Sequence, residues 1–194
     1  MRLFVAIELT DEVREALTDV QSALGRTADG VRWVRGEQLH LTVKFLGDVS
    51  DADVTGAAEA VVRSAARARP FEMNLTECGC FPPRGPVRIV WAGTHDPSGA
   101  LLECVNALED EMEGIGFPKE SRPFSPHITI GRAKEGRSGQ GVRSAVEGVK
   151  VKRVGQTVNE LTLLSSVLSP KGPSYSVVSR ARLGEVTGPS SGRC

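Results

Sequence analysis

The sequence predicts an α+β fold of two similar lobes, and three observations carry that reading. Along the 194 residues, segments that alternate apolar and polar side chains recur, as half-buried strands do. Between them lie stretches whose apolar residues are spaced as on one face of a helix. Two of the strand-like segments begin alike with His-x-Thr: Leu39-His40-Leu41-Thr42-Val43-Lys44-Phe45-Leu46-Gly47 and Pro126-His127-Ile128-Thr129-Ile130-Gly131-Arg132. Each follows a strand and a helix, so the chain reads as an internal duplication in which both lobes present a His-x-Thr strand to a shared cleft.

Taken in order, Arg2 to Leu9 is apolar and β-branched and forms the first expected strand. Thr10-Asp11 resembles a helix N-cap with Glu12 in the first turn. Val13, Ala16, Leu17, Val20 and Leu24 then recur at helical spacing as far as Gly25. A short piece around Val31 to Val34 leads into the first His strand. Asp48-Val49-Ser50-Asp51 offers a second N-cap before an Ala-rich helix over 52–68, which Pro70 ends. Strands are expected at 71–75 and 87–92, separated by Phe81-Pro82-Pro83-Arg84-Gly85-Pro86, a run of turn residues. A helix opens at Pro97-Ser98 and runs to about Gly114 with Leu101, Leu102, Val105, Leu108 and Met112 on its buried face. After the second His strand, 134–141 is polar and Gly-rich and reads as a mobile surface loop. A short helix over 142–147 stops at Gly148. Strands at 151–157, 158–168 and 174–183 finish the fold, the last two joined by Lys171-Gly172-Pro173. One domain over 1–184 is expected, followed by a small polar tail, 185–194, without fixed structure.

Lys plus Arg equals Asp plus Glu at 24 each, so no global field draws the chain to nucleic acid or membrane. A nucleic-acid substrate must be gripped by local positive charge. No apolar run reaches membrane-spanning length, and the N-terminus lacks a signal peptide's cleavage pattern. Cys78, Cys80, Cys104 and Cys194 show no Cys-x-x-Cys spacing, and Cys78-Gly79-Cys80 lacks the further ligands of a zinc site. A reduced, cytoplasmic protein without a metal is the expectation.

The paired motif carries the chemistry. Side chains on a strand alternate between faces, which puts His40 with Thr42 and His127 with Thr129. Breaking a phosphodiester without a metal needs one group to take a proton from the attacking oxygen and another to give one to the leaving oxygen. Histidine suits both tasks, since its unperturbed pKa of about 6.5 makes each protonation state available near neutrality. Two imidazoles on opposite sides of phosphorus provide the in-line arrangement. Each threonine hydroxyl can donate to a non-bridging oxygen, and β-branching keeps it aimed. Arg132, an odd number of residues after His127, points off that face in a regular strand, unless the chain turns where the strand ends. Lys44 and Arg122 are further sources of positive charge. A lone strand histidine is more often structural; two in the same frame argue for function. His95 lacks the motif and reads as a surface or capping residue. Trp33, Trp91 and Phe45 read as core or cleft wall, with base stacking open to one of them. Tyr175, the only tyrosine, stands just after the last turn.

At these residues the chain resembles the two-histidine phosphoesterase superfamily and, within it, the RNA 2′,3′-cyclic phosphodiesterases, historically named 2′-5′ RNA ligases. The matching segments are Met1-Arg2-Leu3-Phe4-Val5-Ala6-Ile7, the two His strands, and 163–169 with Gly172-Pro173-Ser174-Tyr175. The resemblance implies two antiparallel sheets flanking a central cleft, with helices outside. It implies hydrolysis of RNA 2′,3′-cyclic phosphate ends to 2′-phosphates without metal or cofactor. His40 would be the proton donor to the departing 3′-oxygen and His127 the acceptor that activates water. Thr42 and Thr129 would hold the phosphate, with Arg132 in support. The partner would be RNA with cyclic phosphate ends, or cyclic nucleotides, and the enzyme a monomer. Two other functions remain open, namely 2′-5′ joining by the reverse reaction and non-catalytic binding of RNA ends. A His-ligated metal hydrolase lacks a supporting ligand cluster.

Overall fold

Strand β1 (Arg2–Glu8) sends Leu3, Val5 and Ile7 into the main core and turns Phe4 and Ala6 to the opposite face. This division runs through the whole computed structural model, which describes residues 1–133, 140–169 and 172–185. Helix α1 (Asp11–Gly25) buries Val13, Ala16, Leu17, Val20 and Leu24, the residues its spacing selects. Thr10 occupies the N-cap position, but its side chain makes no capping bond. Its N–H instead donates to Gln156 Oε1 at 2.8 Å, while Gln156 Nε2 donates to the Glu8 carbonyl at 2.9 Å.

The chain continues through β2 (Val31–Trp33), a 3-10 turn at Gly36–Gln38, β3 (His40–Asp48) and α2 (Val54–Ala66). Next come β4 (Phe71–Phe81), β5 (Ile89–His95), α3 (Ala100–Glu113) and β6 (His127–Ala133). Helix α4 (Gln140–Gly148) and strands β7 (Gly155–Val158), β8 (Glu160–Ser169) and β9 (Gly172–Arg182) complete it. The strands lie in the order β7-β4-β5-β6-β3-β1-β8-β9, antiparallel throughout, with β2 paired to the far end of β6. At the centre β3 and β6 share one register pair, Leu41 with Ile128. Two four-stranded antiparallel halves therefore meet at one point, as two lobes with a His strand each require. Helices α2 and α3 pack on the half containing β3, β8 and β9, and α1 and α4 on the half containing β6 and β4. The chain thus crosses between halves at α1 and α3, and this interlocking gives the lobes a common core.

Several boundaries differ from those the sequence suggests. Strand β4 runs on to Phe81, because Gly79 serves as a flat seat for Trp91 of the neighbouring strand: a Cβ there would lie 2.2 Å from Trp91 Cζ2. Strand β5 extends to His95, which pairs with Asn74 at the exposed strand end rather than sitting in a turn. Helix α2 has its N-cap at Asp53, whose carboxylate accepts from Ser50 Oγ at 2.6 Å. Helix α3 begins at Ala100, where Asp96 accepts from the Leu101 N–H at 2.8 Å. The strand expected at 151–157 begins only at Gly155. Gln140 and Gly141, assigned by composition to a loop, open α4; 134–139, part of the Lys171-Gly172-Pro173 turn, and the tail from 186 lie outside the described residues. Among the described residues no helix is long and apolar enough to cross a membrane.

Two bulges decide which side chains reach the cleft. Along β3, Thr42 pairs with Ala6 but Lys44 with Val5, so Val43 is an extra residue and the alternation flips. Lys44, which simple parity assigns to the histidine face, is instead 3% exposed in the core. Its Nζ lies 2.6 Å from Glu109 Oε2 and donates to the Pro118 carbonyl at 2.9 Å. Along β6, Thr129 pairs with Trp91 but Gly131 with Val90, so Ile130 is the extra residue. Gly131 then faces inward, and Arg132 is carried to the histidine side. Replacing Lys44 by Ala strands the Glu109 carboxylate, and the protein is expected to lose about 3–5 kcal/mol of unfolding free energy in a denaturant titration. A loss below about 1 kcal/mol would show that the pair is not shielded from water.

Candidate active site

The register pair Leu41–Ile128 fixes the site. Both side chains are fully buried. Their neighbours therefore face the other way: His40 lies opposite Thr129, and Thr42 opposite His127. The four residues form a quadrilateral with the histidines on one diagonal, a separation of about 7–8 Å in an antiparallel pair. Imidazoles at that spacing can flank a single phosphorus, and each has a threonine directly across the seam.

Both rings are oriented by the same backbone device. His40 Nδ1 is 2.8 Å from the Gln38 carbonyl, and His127 Nδ1 is 2.7 Å from the Ser125 carbonyl. A carbonyl oxygen only accepts, so Nδ1 carries the hydrogen and Nε2 is the nitrogen left to exchange protons. Gln38 is itself tied across to the β9 edge, where its Nε2 donates to the Pro173 carbonyl. Aromatic edges wall each ring. The His40 ring lies 5.0 Å from Phe4 and 5.2 Å from Tyr175, the latter edge-on, and Phe81 meets His127 edge-on at 5.2 Å. Trp91 leans on Phe81 at 5.4 Å.

The His40 imidazole is held below its ordinary pKa, chiefly by burial and further by Arg132, against opposing contributions from the Gln38 carbonyl and Glu8. Burial raises the Tyr175 phenol, with Arg132 acting in the opposite direction. Arg132 is thus close enough to act on both His40 and Tyr175. Glu8 lies opposite His40 in register and is held in place by Arg180 at 2.9 Å and by Thr162 at 3.1 Å. Neither Thr42 nor Thr129 spends its hydroxyl on a hydrogen bond within the described residues, and both are half-buried on the shared face.

His40, Thr42, His127 and Thr129 are therefore brought together, with Arg132 beside His40. Lys44 is withdrawn into the core. Of the three aromatic candidates, Trp91 and Phe45 lie on the histidine face, Phe45 being 68% exposed at 6.1 Å from Phe4. Trp33 packs against the main core over Gly131. Phe4 and Phe81 escape sequence reasoning, although Phe4 carries a signal: it is the large apolar residue of β1 whose parity, like that of Ala6, faces away from Leu3 and Val5. The carbonyls of Gln38 and Ser125, each two residues before a histidine, leave no mark in side-chain patterns. Among the described residues no group of three or more His, Cys, Asp or Glu side chains could hold a metal ion.

Comparison with known proteins identifies the family. The model of the family described as LigT like Phosphoesterase matches residues 7–91 and 93–175. An Archaeoglobus fulgidus protein named RNA 2′,3′-cyclic phosphodiesterase is 32% identical over 90% of this chain and 96% of its own. A crystal structure of a Thermus thermophilus protein superposes with a TM-score of 0.79 at 30% identity, covering 95% of this chain and 98% of that one. E. coli LigT complexed with 3′-AMP superposes with a TM-score of 0.74 at 28% identity, over the same shares of the two chains. The chain belongs to the LigT-like phosphoesterase family, within the two-histidine phosphoesterase superfamily.

Proposed function

We propose that the protein hydrolyses RNA 2′,3′-cyclic phosphate ends to 2′-phosphomonoesters by paired histidine acid–base catalysis. The observation that carries this reading is the diagonal register of His40 and His127, each holding Nδ1 against the carbonyl two residues upstream and so leaving Nε2 for proton exchange. His127 Nε2 takes a proton from water as the water oxygen bonds to phosphorus. His40 gives its proton to the 3′-oxygen as the P–O3′ bond breaks. Proton exchange with solvent then resets both rings. Thr42 and Thr129 donate to the non-bridging oxygens, and Arg132 neutralises charge from the His40 side. The depressed basicity of His40 makes it the stronger acid of its kind, and the anionic substrate opposes the field of Arg132, keeping the proton in place once bound. Phe45 offers an exposed ring for a base. The name of the Archaeoglobus relative and the 3′-AMP held by E. coli LigT support RNA ends as the substrate class. Two imidazoles supply both proton transfers, so no metal or cofactor enters the scheme. A monomer in the cytoplasm suits it, in keeping with the free thiols of Cys78, Cys80 and Cys104.

The test is to incubate the protein with adenosine 2′,3′-cyclic phosphate in excess chelator and identify the monoester formed. Accumulation of 2′-AMP is expected. Exclusive 3′-AMP would reverse the leaving oxygen, loss of turnover in chelator would demand a metal, and tight binding without turnover would leave a binding module.

A further inference from the structure

Arg132 has a partner that the reaction scheme does not use. In the short ladder between β2 and β6, Arg32 lies directly opposite Arg132. Residues paired in this way project from the same face, so two cationic side chains leave the sheet from adjacent positions. Like charges directly opposite one another are destabilising. Several exposed arginines elsewhere are matched by carboxylates: Arg35 by Glu37, Arg63 and Arg67 by Glu111, and Arg180 by Glu8. Among the described residues neither Arg32 nor Arg132 has an acidic partner within 4.0 Å. Both are exposed.

The position of the pair is as telling as its charge. Past the bulge at Ile130, the row Phe81–Ile89–Arg132–Arg32 crosses the sheet next to the row Gly79–Trp91–Thr129. Arg132 is thus one same-face step beyond the threonine that faces His40, about 7 Å along the strand. The departing 3′-oxygen, and hence the ribose, lies on the His40 side in the scheme above. In that scheme the two arginines stand on the ribose side of the site, where a 5′ substituent can reach them.

We infer that Arg32 and Arg132 form a second anion site, which grips the phosphate on the 5′-oxygen of the terminal nucleotide and so selects RNA chains over isolated cyclic nucleosides. A phosphate between the guanidiniums turns their repulsion into two charge-assisted, fork-shaped contacts. The chain's balanced net charge makes such a local device necessary for holding a polyanion. The direction assigned to the ribose rests on the proposed reaction.

The experiment is an affinity comparison that needs no turnover: titration with 2′-AMP and with adenosine 2′,5′-bisphosphate, which differ only in the 5′-phosphate. The bisphosphate is expected to bind at least tenfold more tightly, with a steeper dependence on salt. Arg32→Ala should bring the ratio of the two affinities close to one, and Arg32→Glu should make the bisphosphate the weaker ligand. Both changes are at an exposed strand position and leave the core intact. Equal binding of the two nucleotides by the unaltered protein overturns the inference, as does a ratio that survives in both variants. Failure to hydrolyse the cyclic substrate would sink the reaction scheme and leave this measurement standing on its own.

Discussion

Alanine in place of either His40 or His127 is expected to lower kcat on adenosine 2′,3′-cyclic phosphate by at least about 10²-fold, the lower end of what a positioned acid or base supplies. The two losses should not multiply. Once one proton transfer is missing, the in-line reaction proceeds through whatever path solvent allows, and removing the second ring costs little more. Each single variant retains the threonine donors and Arg132, so KM should change far less than kcat. The pH dependence adds a check on the environment. In kcat/KM, the limb belonging to His40 should fall below the ordinary histidine value of about 6.5, since burial and Arg132 both disfavour its charged form. Arg132→Gln removes the cation, which raises the pKa of the imidazole and moves that limb to higher pH. In kcat the limb should also sit higher than in kcat/KM, because the bound anion favours the protonated ring. Near-normal rates in both alanine variants would end the mechanism. A limb indifferent to Arg132 would place that guanidinium out of reach of the ring.

The parts of this site that the sequence discloses are those governed by local parity. His40 with Thr42, and His127 with Thr129, share a face because they are two residues apart on strands whose apolar neighbours demand burial. Tyr175 stands out only as the sole tyrosine beside a turn, and its place against His40 depends on the β8–β9 hairpin folding back over β1. The two bulges are not legible. Whether Val43 or Ile130 is skipped is settled by which residue of β1 or β5 it meets, a question no single strand answers. That one extra residue sends Lys44 to Glu109 and Arg132 to His40, exchanging the fates that alternation assigns them. Gly79 hides a similar dependence: read alone it interrupts a strand, while beneath Trp91 it is what lets the strand continue. The bulges fall immediately after each threonine, so the duplication extends to irregular backbone as well as to motif.

The same symmetry sharpens the expectation for the threonines. Thr42→Val and Thr129→Val keep the size and β-branching of the side chain and delete only the hydroxyl. Each is expected to lower kcat by about 10²-fold, the scale on which one aimed donor to a developing oxyanion contributes. The ground-state phosphate is already anionic, so some binding is lost too. Charge on the non-bridging oxygens rises toward the transition state, however, and kcat should therefore fall by more than KM rises. Thr→Ser at either position restores the donor without the methyl group that fixes its rotamer, so it should recover part of the rate. Because each hydroxyl lies opposite the histidine of the other half, each would serve a different oxygen of one phosphate. The double Val variant should then show losses that nearly multiply, in contrast to the double histidine variant. Valine variants with normal kcat would mean that the hydroxyls do not face the phosphorus. Losses in the double variant no greater than in one single variant would mean that both donors serve the same oxygen.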